Sequence, residues 1–258
     1  MTAEGCRDEI FTEVAAGLLA AYSSRTPVEP PRDVIEDLDV AGAYKIQQLQ
    51  EATLRAGGHK IVGRKVGLTS KAMQKQLGVD SPDFGFFTES MVLKGPVEAD
   101  RFIAPKIEPE LGFRLAKDLP AHATVDQVAE TVDAVFLAVE IIDSRVRDWD
   151  IRLVDTIADN ASCGAIFLSD EPIQVRMDEL NGVSAVMRVD GRETGRGSGI
   201  DVMGNPLAPI AWLTSVGVEL NAGDIVLSGS FCGAAEVSAG STVDIDYGKY
   251  GTLNVEFV

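Results

Sequence analysis

Histidine is almost missing from this chain. His59 and His122 are the only two, and neither stands in a metal-binding or triad motif. That argues against a His-based hydrolase and a His-rich zinc site, so acid–base chemistry falls to Asp, Glu, Lys or Tyr. Cysteine is scarce too. Cys6, Cys163 and Cys232 are far apart, odd in number and free of CxxC or Cys/His spacing, which fits free thiols in a reducing compartment. Positive charge is short: 23 Lys and Arg stand against 40 Asp and Glu, a net −17 at pH 7. Such a surface repels nucleic acid and anionic membranes, so neither is expected as a partner. Long apolar runs are also lacking. The longest near the N-terminus, roughly ten residues from Val14, is too short to span a bilayer. The opening MTAEGCRDEIFTEVAAGLLAAY carries acids and not the basic start of a signal peptide. The expected location is cytoplasmic. A phosphate-binding glycine loop is missing as well: GRETGRGSG (191–199) has the glycines without a strand-to-helix setting.

What is present is ordinary globular material: 258 residues, 45% hydrophobic and 24% charged, enough for a large buried core. Phe11, Val14, Ala15, Leu18, Leu19 and Tyr22 recur at helical spacing over 8–23. TPVEPPR (26–32) is a proline-rich connector. A second helix is predicted from Val40 to Arg55, capped by Asp39 and stopped at Gly57–Gly58. Residues 1–58 therefore form a helical N-terminal segment packed on a β-rich core of 59–258. In that core HKIVGRKVGL (59–68) is β-like, KAMQKQLGV a short helix, SPDFGFF a turn and MVLKGPVEADRF a hairpin or extended piece. Strands are predicted at 107–115, 134–142, 164–168, 183–190 and 193–198, the last two joined at Asp190–Gly191. Asn205–Pro206 opens a helix to about Val216. Further strands follow at 223–231, 241–247 and 251–258, the final two a hairpin with one buried face. The order lacks regular βαβ repetition, so the fold class is α+β with an N-terminal helical arm.

The stretch PKIEPELGF (105–113) raises a question. Alternation puts Ile107, Leu111 and Phe113 on one face and Glu108, Glu110 and Gly112 on the other. The two carboxylates leave that face roughly 6–7 Å apart, close enough to reach one cation. Pro109 cannot donate a ladder bond and places the stretch at a sheet edge or an interruption. Glu140 sits alone in the apolar strand VFLAVEIIDSR (135–145), a costly position unless paired or protonated. Three glutamates from two strands suggest a site for a hard divalent ion, Mg²⁺ or Mn²⁺ before zinc, with coordination positions left for water or a chelating substrate. The plain alternative is a solvated strand face at Glu108 and Glu110, with Glu140 paired to Arg145 or Lys106.

Several stretches together carry a resemblance: GRKVGLTSKAMQKQLGVDSPDFG (63–85), KIEPELGF (106–113), EIIDSRVRDW (140–149), DTIADNASCG (155–164) and GNPLAPIAWL (204–213). From about residue 40 to 258 the chain resembles the 2-hydroxypenta-2,4-dienoate hydratases of the fumarylacetoacetate hydrolase superfamily. The resemblance implies a mixed β-roll core of the C-terminal type of that superfamily. It implies a divalent metal held by Glu108, Glu110 and Glu140, catalytic roles for Lys65 and Asp83, and substrate contacts from Thr69, Asn160 and Ser162. It implies addition of water to 2-hydroxypenta-2,4-dienoate in the meta-cleavage catabolism of aromatic compounds, giving 4-hydroxy-2-oxopentanoate. Large homo-oligomers are implied, and association with a decarboxylase sibling is conceivable. Lys65 and Asp83 are expected to form a coupled pair. Phe86–Phe87 are bulkier than the aliphatics expected there, which bears on pocket width.

Other readings stand beside these. Lys65 can be a surface lysine, Asp83 a turn former after Ser-Pro, and Asn160 and Ser162 caps. Arg145, Arg147 and Asp148 read as a structural ion-pair cluster or a subunit contact, Cys163 as a buried small residue, and Trp149 and Trp212 as packing. The rival activities are 4-oxalocrotonate-type decarboxylation of a 2-oxo-3-enedioate, whose second carboxylate needs an extra cation in the pocket, and acylpyruvate C–C hydrolysis. A non-catalytic metal-binding protein is the remaining alternative.

Overall fold

Alternation at 106–115 builds the middle of the molecule. In the computed structural model, which describes residues 3–70, 74, 79 and 81–258, strand β4 (Lys106–Leu115) pairs antiparallel along its length with β5 (Val132–Ile142). Around them the main sheet runs β2 (Asp83–Thr88), β1 (Ile61–Gly67), β9 (Ile225–Leu227), β4, β5, β6 (Cys163–Leu168), β3 (Val92–Leu93), with β10 (Ala235–Glu236) also on β4. Pairing is mixed: β1–β9 and β3–β6 are parallel, the other pairs antiparallel. A second, antiparallel sheet has the order β12 (Thr252–Glu256), β11 (Thr242–Asp246), β7 (Ser184–Val189), β8 (Arg192–Ser198). The terminal hairpin aligns Val243 with Val255 and Ile245 with Leu253. The fold is α+β.

β4 is an interior strand, and Pro109 sits at an interruption within it. β10 pairs with Ile107 and Lys106, β9 with Gly112 to Arg114, and the chain crosses the gap between them. There Phe231 N donates to the Pro109 carbonyl at 3.0 Å, so the proline needs no N–H on that side. Odd-numbered residues Ile107, Leu111 and Phe113 join Leu137, Val139 and Ile141 in the core shared with Met187, Val243, Ile245 and Val255 of the second sheet. Each such side chain contributes about 1.5–3 kcal/mol by leaving water. The even-numbered face carries the acids.

Helices α1 (Ala3–Ser24), α2 (Pro31–Val34) and α3 (Val40–Ala56) share a second core through Phe11, Leu18, Ile35, Ala43 and Ile46, closed by Ile157 and Ala158. Asp39 caps α3, accepting from Gly42 N at 2.8 Å, and Gly57 ends it. Gln47 donates to the Phe84 and Ile157 carbonyls at 2.8 and 3.0 Å, and Gln50 to the Ala158 carbonyl at 2.6 Å.

Two expectations need correction. SPDFGFF is not a turn: from Asp83 it is strand β2, whose aromatic residues suit a pleated surface and whose backbone pairs with β1 from Gly67–Asp83 to Ile61–Thr88. The helix expected from Asn205 begins at Ala208, because the Asn205 carboxamide oxygen accepts from Leu207 N at 2.9 Å and holds a turn there. The helix expected from KAMQKQLGV lies almost wholly outside the described residues.

Candidate active site

The register of β4 on β5 places Glu108 directly opposite Glu140, and Glu110 opposite Ala138. All three carboxylates are buried, at 6%, 1% and 0% exposure for Glu108, Glu110 and Glu140, so the solvated-face alternative does not hold. One oxygen from each lies within 4.8 Å of the others. Ala138, Ile166, Leu227 and Phe87 form an apolar floor beside them. Tyr247, from the end of β11, sends its hydroxyl between the strands, 2.8 Å from the Ala138 carbonyl and 3.0 Å from that of Glu110.

Hydrogen bonds satisfy little of this negative charge. Glu110 Oε2 accepts from Gly229 N at 2.9 Å. Gly229 adopts φ +111°, and a Cβ there would meet Thr69 Oγ1 at 2.3 Å, so this contact needs glycine. Glu108 Oε1 and both Glu140 oxygens accept no hydrogen bond among the described residues. Burial, then the repulsion of Glu140, pushes Glu108 up to about 8, against the pull of Lys65. Burial and the charges of Glu140 and Glu108 hold Glu110 well above the usual carboxylate range. Burial likewise raises Glu140.

Lys65 of β1 supplies the nearest cation, with Nζ 3.1 Å from Glu140 Oε1, an ion pair more than an aligned hydrogen bond. The partner expected for Lys65 was Asp83; its direct ion pair is with Glu140. Asp83 stands two register positions away, opposite Gly67. The two side chains crowd Gly67 instead: a Cβ there would lie 2.3 Å from Asp83 Oδ1 and 3.3 Å from Lys65 Nζ. Burial opposes the charge on Lys65, but Glu140 and then Asp83 overcome it and raise the ammonium well above its ordinary value. Burial also raises Asp83, opposed by Lys65 and by a hydrogen bond from the Thr156 hydroxyl. Asp83 Oδ1 has no hydrogen-bond partner among the described residues.

These groups open on a cavity of about 350 Å³. Lys65, Asp83, Glu108, Thr69 and Ser162 line it, and Ser162 Oγ lies 3.3 Å from Thr156 Oγ1. Asn160 is placed elsewhere. Its amide clamps the backbone of β2, donating to Phe86 O and accepting from Phe86 N, both at 2.8 Å, and Asn160 is not among the residues lining the cavity. Asn160, Ala161 and Ser162 all have φ between 50° and 54°, a left-handed turn that this clamp helps to hold. Phe86 and Phe87 do not bound this cavity; Leu68, Ile142, Trp149 and Ile151 supply its apolar wall. Neither histidine lines it.

Arg145 belongs to the framework. It is 1% exposed, pairs with Asp159 through Nε at 2.6 Å, donates to the Cys163 carbonyl at 3.0 Å and lies 4.2 Å above the Tyr22 ring. Arg147 instead pairs with Glu29 at 2.9 Å. Sequence reasoning missed Gly229 N–H, Tyr247, Thr156 and the cavity positions of Lys106 and Trp149. Lys106, Trp149 and Thr156 lie in stretches that carry the family resemblance, Gly229 and Tyr247 do not, and the tertiary fold is what brings all five to the acids.

A family model described as fumarylacetoacetate (FAA) hydrolase C-terminal matches residues 60–258. The chain belongs to the fumarylacetoacetate hydrolase family. Within reach of this family, the chain is 39% identical over 258 residues to the 2-keto-4-pentenoate hydratase of Burkholderia vietnamiensis (strain G4 / LMG 22486), covering 97% of this chain and 98% of that protein. It is 34% identical over 261 residues to the 2-hydroxyhexa-2,4-dienoate hydratase of Comamonas testosteroni, covering 97% and 98%. Among solved structures it superposes with a TM-score of 0.91 on the 4-oxalocrotonate decarboxylase from Pseudomonas putida G7 complexed with magnesium and adipate, at 27% identity and covering 100% and 99% of the two chains. An oxygen-only trio with unpartnered buried oxygens is the donor set a hard divalent ion takes, so Glu108, Glu110 and Glu140 fit such a metal. Among the described residues, no helix is long and apolar enough to cross a membrane.

Proposed function

We propose that this protein is a metal-dependent hydro-lyase that adds water to 2-hydroxypenta-2,4-dienoate and gives 4-hydroxy-2-oxopentanoate, a step in meta-cleavage catabolism of aromatic compounds. The observation that carries it is a buried acid trio that reaches, through Glu108, a cavity also lined by Lys65 and Asp83, in a chain whose near-full-length relatives are hydratases. Glu108, Glu110 and Glu140 would hold Mg²⁺ or Mn²⁺. When bound, the ion supplies Lewis acidity toward the substrate oxygen that gains charge.

The chain's own groups handle the protons. The 2-hydroxyl must lose a proton and C5 must gain one, giving an α,β-unsaturated 2-oxo acid. Water then adds its oxygen at C4, and a proton reaches C3. Glu140 and Asp83 keep Lys65 an ammonium, so Lys65 acts as donor and as counter-charge to the enolate oxygen. Asp83, with Oδ1 free of hydrogen bonds among the described residues and its basicity raised by burial, is the group that takes a proton from the enol or from water. Thr69 and Ser162 present hydroxyls to the same space. The test is an ultraviolet assay of 2-hydroxypentadienoate loss with and without Mg²⁺ or Mn²⁺, the products being resolved. Unchanged turnover in excess chelator would overturn the metal's role.

A second reading, decarboxylation of a 2-oxo-3-enedioate, is favoured by one observation: the cavity holds another cation, Lys106. Release of CO₂ from such a dicarboxylate, measured beside hydration of the monocarboxylate, separates the two. We extend the proposal to a homo-oligomer able to associate with a decarboxylase sibling; light scattering of the protein alone and of the mixture tests both parts.

A further inference from the structure

Lys106 is the cavity's unspent cation. It shares the even-numbered face of β4 with Glu108 and Glu110 and lies opposite Ile142, another cavity residue. Neighbours in that row are roughly 6–7 Å apart. The other cavity lysine, Lys65, is already committed to Glu140. Among the described residues Lys106 has no carboxylate within ion-pair distance, although the chain carries a net charge of −17 and the lysine's charge still favours ionisation of Glu108. Its Nζ instead lies 4.4 Å from the centre of the Trp149 ring.

The pair is held in place from both sides. Trp149 Nε1 donates to the Ala104 carbonyl at 2.9 Å, two residues before the lysine. The Asp143 carboxylate accepts from Ile103 N and Ala104 N at 3.0 and 2.8 Å, fixing the approach to β4. Asp148 and Trp149 both take φ of 56°, in the left-handed region, to bring the indole there. An aromatic face holds an ammonium without neutralising it, so the charge stays available to an incoming anion.

We propose that Lys106, held over Trp149, receives the carboxylate on C1 of the 2-oxo acid and so sets the site's requirement for that group. This rests on the hydratase reading for the identity of the substrate. Lys106 stands next to Glu108 in the row and lines the same cavity, so a carboxylate beside the substrate oxygen nearest the acid trio comes within its reach. A role at the far end of a dicarboxylate is the competing assignment.

The experiment uses full-length, Mn²⁺-loaded protein carrying Trp212→Phe, which leaves Trp149 as the one indole. Pyruvate, a 2-oxo acid with no distal carboxylate, is titrated by indole emission in the parent and in Lys106→Met, and pyruvate and adipate are titrated by calorimetry in the parent and in Lys106→Met, Lys106→Arg and Trp149→Leu. A charge-assisted contact of the usual strength predicts that Lys106→Met weakens pyruvate roughly 10- to 100-fold. Lys106→Arg recovers part of that loss, and Trp149→Leu costs a few-fold. Pyruvate changes the Trp149 emission in the parent, and this change is lost in Lys106→Met. With 2-hydroxypentadienoate, KM rises more than kcat falls. Mn²⁺ binding, which depends on the folded acid trio, is retained and shows that the variants are intact, with only a few-fold change where the Lys106 charge beside Glu108 is removed. Unchanged pyruvate binding in Lys106→Met would overturn the proposal, as would a loss confined to adipate, which would move the lysine to a distal carboxylate. If no dienoate is hydrated by the parent but pyruvate still depends on Lys106, the hydratase reading fails and the carboxylate assignment stands.

Discussion

Glu108 and Glu140 face each other across β4 and β5 in direct register, two buried carboxylates with three of their four oxygens free of hydrogen bonds among the described residues. Like charges directly opposite on neighbouring strands are destabilising. Without a bound cation this pair works against the fold. In excess chelator, Glu108→Gln should therefore be more stable than the parent, on the order of 1 kcal/mol. The difference should depend on pH. Folding raises Glu108 from 4.5 to about 8. A carboxyl whose value rises on folding favours the fold while protonated, so its contribution is full below 4.5 and is lost as pH climbs through about 8. The parent should lose stability relative to Glu108→Gln across that window; a constant difference in chemical denaturation from pH 5 to 8.5 would contradict this.

Divalent metal should reverse the ranking. Mg²⁺ or Mn²⁺ that binds the folded trio raises the parent's Tm in proportion to the logarithm of its concentration. Glu108→Gln and Glu140→Gln should show little or none of that rise. Because the carboxyls must release protons to bind, calorimetry in buffers of different ionisation enthalpy should detect proton uptake by the buffer, and affinity should grow with pH.

Lys65→Met should separate chemistry from metal binding. Loss of a positioned donor is expected to lower kcat by roughly 10²- to 10⁴-fold. Metal affinity should hold or improve, since the ammonium that competes for Glu140 at 3.1 Å is gone. A variant that loses Mn²⁺ binding while retaining kcat at saturating metal would reverse the assignment.

Gly67→Ala tests the spacing of Lys65 and Asp83 with neither replaced. The added methyl would lie 2.3 Å from Asp83 Oδ1 and 3.3 Å from Lys65 Nζ, so one or both must move. A displacement near 1 Å at reacting groups costs on the order of 100-fold in rate. Turnover should fall by about that factor with metal affinity preserved. Parent-like turnover would show that the two need not be held this closely.

Arg145→Met should act on stability. It strands the Asp159 carboxylate, buried at 0% exposure, and removes donors to the Asp143 and Cys163 carbonyls. Breaking a buried pair in this way costs about 3–5 kcal/mol. Urea unfolding should register that loss, and a change below about 1 kcal/mol would mean the pair contributes little.

The sequence made one dimension of this site readable. Period-two spacing alone puts Glu108 and Glu110 on one strand face, and the apolar setting of Glu140 marks it as buried. The register joining Glu140 to Glu108 depends on how β5 aligns with β4, which no local pattern states. The same gap explains Asn160: its partners are the backbone atoms of Phe86, 74 residues away, so a family signature that reads as a substrate contact becomes a clamp on a strand. SPDFGFF carries Ser-Pro and glycine, the marks of a turn, and its aromatic residues and pairing with β1 prevail over them. From the sequence, Lys106 reads as a candidate partner of Glu140 and Trp149 as a packing residue. Only Asp143 and the left-handed bend at 148–149 turn them toward the cavity.

The glutamines of α3 carry a last consequence. Gln47 and Gln50 reach out of the arm to the carbonyls of Phe84, Ile157 and Ala158, next to Asp83 on one segment and Thr156 on the other. A chain shortened to start at residue 60 would retain every charged group of the cavity. It would also strip the glutamine donors from three main-chain oxygens and the helical cover from Ile157 and Ala158. Proteolytic nicking near Gly57–Gly58 followed by loss of the arm should therefore inactivate the protein while leaving its acidic ligands intact in sequence. The family model matches residues 60–258, a shorter span than the one these contacts tie together.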